Sequence, residues 1–177
     1  VAVKYRKYES DNITEVDFEP YCLKLFNQRW YVLAHFHRDA TTQKSEADYF
    51  AIFSLDRIKH LELTGIKFKV KKDFDAKEYF MEYFGVTTDD GIECERVILR
   101  AYGEQRFYMH DLPWHHSQKE IASTEDYTDF ELSIRPTIDF SNKIVSEGNR
   151  VKVISPRWLA DEIREMHLDA VKMYDEE

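Results

Sequence analysis

Residues 29–37, RWYVLAHFH, constrain this chain more than any other stretch. They are β-branched and aromatic with almost no polar interruption, the pattern of a strand buried on both faces. Such a strand needs neighbours on either side, and the flanking sequence supplies them. Residues 1–8 alternate, with Val1, Val3 and Tyr5 on one face and Lys4 and Arg6 on the other. A turn at Asp11-Asn12 precedes ITEVDFEP, a second strand expected to end at Pro20. LKLF runs into a tight turn at Asn27-Gln28, and a polar loop spans residues 38–48. YFAIFSLDRIKHLELTG then provides one or two further strands. Short strands packed this densely predict a small closed barrel over residues 1–70, because closure removes exposed sheet edges.

From Asp73 the period changes. Ala76, Tyr79, Phe80, Tyr83 and Phe84 recur at helical spacing with Gly85 behind them, which predicts a helix over 73–85. TTDDG follows as a polar hinge, so residues 71–91 are expected to connect two domains. Residues 92–177 then alternate in type. ERVILRAYG is a strand and EQRFYMHDL a short helix stopped by Pro113. KEIASTED and TDFELSIRP are strands, DFSNKIVSEG a helix ended by Gly148, and RVKVIS the last strand. Ser155 is expected to cap a long final helix with Pro156 at its first position and Leu159, Ile163, Met166 and Ala170 on its packed face. The order βαββαβ predicts a ferredoxin-like sandwich with a C-terminal helix, an α+β protein overall.

Composition narrows the function. Aromatic residues are 15% of the chain and hydrophobic ones 43%, ample for packed cores. No apolar run has the length a membrane helix needs, so no membrane role is expected. The two cysteines, Cys22 and Cys94, have no metal-ligand spacing and fit a reducing, cytoplasmic setting. Charges balance over residues 1–85, and the whole excess of −9 lies in residues 86–177. A protein that coats duplex phosphate would carry the opposite excess. An anionic guest would therefore need a local pocket in the first half. The chain opens with Val inside a strand, from which a preceding segment is expected.

Arg29 and Arg57 lie on neighbouring strands among aromatics, where a guanidinium fork suits phosphate or carboxylate. Alternatively they pair with acids such as Asp56 or Glu19. His110, Asp111, His115, His116 and Glu120 could form a metal centre, or simply a polar surface, since Pro113 breaks the segment and the adjacent histidines diverge. His35 and His37 share a strand face with Tyr31 and Leu33, either as ligands or as hydrogen-bonded rim residues. No nucleophile or phosphate-loop motif is present.

RWYVLAHFH followed by FSLDRI, with PYCLKLF before them, resembles the core of the WYL domain, a small Sm-like, SH3-type barrel of bacterial transcriptional regulators. PWHHSQKE, RPTIDF and VKVISPRWLADEI resemble the ferredoxin-like extension that follows such domains, so the likeness covers nearly all the chain. It implies an effector-sensing, homodimeric region without enzymatic activity or cofactor, reaching duplex DNA only through an upstream helix-turn-helix that this sequence lacks. By position, the anionic ligand, a nucleotide or single-stranded nucleic acid, would be held by Arg29, Tyr31, His37 and Arg57, with Tyr5 beside them. Val32 replaces the third letter of the motif. Ser54 stands two before the Asp of DRI, where many members are basic, which favours a smaller effector over a polyanion. Two other classes stay open: direct binding of single strands with aromatics stacking on bases, and a metal-dependent enzyme built on His110, His115 and His116.

Overall fold

The computed structural model describes residues 1–7, 12–36, 49–89 and 91–175. His37 and the 38–48 loop lie outside these residues, as does Asp11 of the first expected turn. The chain is a mixed α/β protein and divides into two compact units, Val1–Tyr79 and Phe80–Glu177.

In the first unit, β1 (Ala2–Arg6), β2 (Ile13–Asp17) and β6 (Ile58–Glu62) form one three-stranded sheet in the order β2-β1-β6. β3 (Glu19–Phe26), β4 (Arg29–Phe36) and β5 (Tyr49–Ser54) form another, with β4 central. All pairs are antiparallel. Asn27 and Gln28, with φ of 46° and 63°, make the β3–β4 turn; this left-handed pair matches the twist of a two-residue hairpin. Pro20 does not end a strand as expected. It lies inside β3, an edge strand whose register shifts between Pro20 and Cys22, and an edge with a bulge tolerates the missing N–H. The second strand ends earlier, before the buried Phe18, whose N–H donates to the Val1 carbonyl at 3.0 Å.

Among the described residues no ladder closes these sheets into a barrel. Side chains join them instead: Val3 and Tyr5 of β1 and Phe18 pack with Val32 and Ala34 of β4, flanked by Phe36, Phe53 and Ile58. Phe18 stacks on Phe53 at 5.2 Å, and Tyr5 meets the same ring edge-on at 4.8 Å.

The helix expected over 73–85 is only α1 (Ala76–Tyr79). Asp75 starts it, its carboxylate accepting the N–H groups of Lys77 and Glu78 at 2.7 and 3.0 Å. The aromatic residues that suggested one helix serve different cores. Phe74 and Tyr79 pack on Phe50 in the first unit, whereas Phe84 packs on Phe140 in the second.

The second unit follows the expected element order: β7 (Glu95–Tyr102), α2 (Gln105–Asp111), β8 (Lys119–Ser123), β9 (Tyr127–Ile134), α3 (Ile138–Ser146), β10 (Val151–Ser155) and α4 (Arg157–Asp175). The antiparallel sheet has the order β10-β7-β9-β8. Val97, Leu99 and Ala101, at every second position of β7, face a core completed by Phe130, Leu132, Met109, Phe140, Ile144 and Leu159. On the other side of the same strands, Arg100 makes a two-pronged bond to Asp129 at 2.7 and 2.9 Å and lies 3.5 Å over the Tyr127 ring. Pro156, rather than Ser155, stands at the start of α4, its carbonyl accepting the Ala160 N–H. The packed face of α4 is shorter than its periodicity: Leu159 and Ile163 are buried, but Ala170 is exposed.

Residues 80–87 are strapped to this unit. Arg135 donates from its backbone to the Glu82 carbonyl at 2.7 Å and from its side chain to the Glu82 carboxylate. Asp139, in the first turn of α3, accepts the N–H groups of Val86 and Thr87 at 2.8 and 2.7 Å. Gly85 permits this approach, since a Cβ there would come within 2.2 Å of the Asp139 carboxylate. Gly85→Ala is expected to lower stability by about 1–3 kcal/mol through overpacking, and Asp139→Ala by about 2 kcal/mol through two abandoned N–H groups. In urea denaturation the two losses should fall short of additivity, because both break one contact; full additivity would separate the glycine from the carboxylate.

Candidate functional site

β4 carries different chemistry at its two ends. Its middle and far end, Val32 to His35, are at most 4% exposed. Register places Tyr31 opposite Ser54, Leu33 opposite Ile52 and His35 opposite Phe50. The His35 side chain is fully enclosed, and its Nδ1 meets the Glu19 carboxylate at 2.9 Å. Tyr21 and Phe50 lie 4.9 and 5.0 Å from its ring. Phe68 and Phe74 continue the aromatic layer over Tyr21, and the Tyr21 hydroxyl accepts the Lys71 N–H. His35 is thus a core histidine. The aromatic cluster around it escaped the sequence reading, because Phe68 and Phe74 reach the sheet from a segment without strand or helix periodicity.

The near end of β4 is open. There Arg29 approaches Asp56 at 3.3 Å, with the two side chains 41% and 49% exposed. This is the acid pairing that the sequence left as an alternative. Asp56 and Arg57 belong to a 3-10 turn, Leu55–Arg57, that links β5 to β6. The Arg57 guanidinium lies 4.7 Å over the Tyr5 ring, and its Nε donates to the Arg6 carbonyl at 2.8 Å. Tyr5 is 7% exposed, so a buried ring serves as the platform for a cation. Its hydroxyl accepts the Ser54 N–H at 3.3 Å and lies 3.2 Å from the Ser54 hydroxyl. Ser54, singled out as a missing cation, is therefore the buried partner of Tyr5.

The structure brings Arg29, Asp56, Arg57 and Tyr5 to one corner, where β4 begins and the 3-10 turn leaves β5. Tyr31 sits half-buried two residues along β4 from Arg29. An exposed ion pair of this kind contributes about 0–1 kcal/mol. On β3, burial pushes the Cys22 thiol up, with Lys24 drawing it partly back.

The histidine-rich segment does not assemble a metal centre. His115 meets the Ser117 hydroxyl through Nδ1 at 2.7 Å and the Met81 carbonyl through Nε2 at 2.8 Å, which occupies both ring nitrogens. His110 pairs with Glu120 at 3.0 Å, and His116 packs edge-on against His115. Among the described residues no group of three His, Cys, Asp or Glu could hold a metal ion. Nor is any described helix long and apolar enough to cross a membrane.

Tyr5 has two roles that substitution separates. Tyr5→Phe keeps the ring under Arg57 and is expected to cost about 1 kcal/mol for the lost bond to Ser54. Tyr5→Ala removes a core side chain and should cost roughly 3–5 kcal/mol in the same urea titration. Equal losses would contradict the ring's place in the core.

Residues 1–63 match the family model of the WYL domain. Among solved structures the chain is similar to proteasome accessory factor B/C (PafBC) of Arthrobacter aurescens, at 17% identity and a TM-score of 0.34. That similarity covers 92% of this chain and 23% of the other, so this chain spans under a quarter of its length. No curated protein matches. The likeness to the WYL domain family is thus carried by residues 1–63.

Proposed function

We propose that this chain is the effector-sensing and dimerising region of a bacterial transcriptional regulator and acts without enzymatic chemistry. Its effector is an anion, a nucleotide or a short single strand of nucleic acid, held at the corner formed by Arg29, Tyr31, Arg57 and Tyr5. His37, which the resemblance adds to the set, lies outside the described residues. One observation supports the reading: the Arg57 guanidinium rests 4.7 Å over the buried Tyr5 ring, and Arg29 meets the exposed Asp56 carboxylate at 3.3 Å. A guanidinium fixed on a ring is set in orientation for phosphate. The two units are proposed as an Sm-like barrel over residues 1–70 and a ferredoxin-like domain over 92–177, joined through 71–91. The strand order β10-β7-β9-β8 supports the second.

Ligand binding acts by population. A phosphate that replaces Asp56 on Arg29 favours whichever arrangement leaves both arginines available, and the shift can be no larger than that difference in affinity. Duplex DNA is reached only through an upstream domain, in a cytoplasmic homodimer. A second reading, direct binding of single strands, is favoured by Lys67, Lys69, Lys71 and Lys72, exposed along a segment outside any strand or helix.

Calorimetric titration of nucleotides and short single-stranded DNA into wild type and Arg57→Ala separates these. The sensor reading expects binding roughly tenfold weaker in the variant, the usual scale for losing one charge-assisted contact. Equal affinity would remove Arg57 from the site. A steep decline with salt, abolished by alanine at Lys67, Lys69 and Lys72 but not at Arg57, would establish the direct-binding reading instead.

A further inference from the structure

The second unit contains a cavity of about 340 Å³ at the end of β7, where the chain enters α2 and faces the 3-10 turn Gly148–Arg150. Its size suits a small molecule, since such sites commonly hold ~300–1,000 Å³. Tyr102 and Tyr108 line it with rings, Gln105 and Asn149 with carboxamides, and Glu104 and Arg150 with opposite charges.

Three features define the guest. Gln105 is only 7% exposed, yet no hydrogen bond among the described residues engages its carboxamide, and it lines the cavity. Its amide reaches the cavity without a protein partner, so a guest presenting a donor and an acceptor side by side can pair with it. Arg150 is already committed to Glu147, through its Nη2 to the carboxylate at 3.0 Å and its Nε to the carbonyl at 3.1 Å. With Glu104 opposite, the cavity has no surplus positive charge to attract a phosphate. Tyr108, 59% exposed, offers a ring face that a flat molecule can cover.

We propose that this cavity binds a neutral purine base or nucleoside, its face stacked on Tyr108 and its amide-like edge read by Gln105. Stacking on tyrosine accepts any flat heterocycle, whereas a carboxamide pairs two-pronged with the adjacent donor and acceptor of a purine such as adenine. The site lies in the second unit and does not rest on the reading of Arg29 and Arg57.

Titration calorimetry of the full chain with adenosine, guanosine, adenosine monophosphate and glucose tests it. Saturable binding of a purine nucleoside is expected, and in Arg57→Ala, which disables the corner of the first unit, the monophosphate should bind no more tightly than the nucleoside. Tyr108→Ala and Gln105→Leu should each weaken it roughly tenfold, the scale of one lost stacking or paired hydrogen-bonding contact. Arg57→Ala should leave it unchanged, which keeps this site distinct from the corner in the first unit. Near-UV circular dichroism checks that each variant is folded; Tyr108 is exposed, so its variant carries the test if Gln105→Leu does not fold. The proposal is overturned by absence of saturable nucleoside binding to wild type, by affinity untouched in folded Tyr108→Ala, or by glucose binding in preference to both nucleosides.

Discussion

Double burial of one strand organises the first unit. The middle of β4 sends Val32 and Ala34 into a core shared with β1, while Leu33 and His35 face an aromatic layer on the opposite side. A strand covered on both faces cannot slip register by one residue without exchanging two full sets of contacts. Its pairing is therefore specified, and so is the placement of whatever stands at its ends. Glu19 completes the arrangement by meeting the one polar ring that this burial encloses.

The same constraint sets the corner proposed as the ligand site. Where β4 emerges from its covering layers, Arg29 and Trp30 reach solvent, and Trp30 is 51% exposed. The 3-10 turn brings Asp56 and Arg57 to that point without a long loop, so two guanidinium groups are set by rigid elements. A cation over an aromatic face contributes about 0.5–1 kcal/mol at an exposed site, and the Arg29–Asp56 pair no more than that.

The second unit has a different economy of contacts. One core, drawn from three strands and three helices, lies on one side of its sheet, and ion pairs lie on the other. Asp129 raises the pKa of Arg100 further above its ordinary range by bonding to it, so the guanidinium stays charged. The strap over residues 80–87 is fastened by Arg135, Asp139 and the His115 ring. Two of these anchors use backbone donors and acceptors that would otherwise lack partners.

Local pattern made much of this legible. Period-two alternation placed the strands of both units, and the chemistry of Asn27-Gln28 placed the hairpin turn, because backbone sterics act over a few residues. Arg29, Arg57 and Tyr5 were grouped in the sequence through the resemblance to the WYL domain. The failures have a common cause. Aromatics at helical spacing over 73–85 matched an amphipathic helix, but Tyr79 and Phe84 belong to separate cores, and tertiary burial overrode local periodicity. Among the described residues no ladder closes the barrel expected from short strands, and the sheets meet through Phe18 and Phe53, a contact with no signature in spacing. Likewise His35 and His115 were ambiguous as residues, and only their partners Glu19, Ser117 and Met81 decided their roles. The order of elements and the identity of the cations thus belong to the sequence itself, through short-range sterics and patterning. Which charges stay exposed, which rings support them and which histidines are consumed by the core were decided by packing between residues distant in the chain.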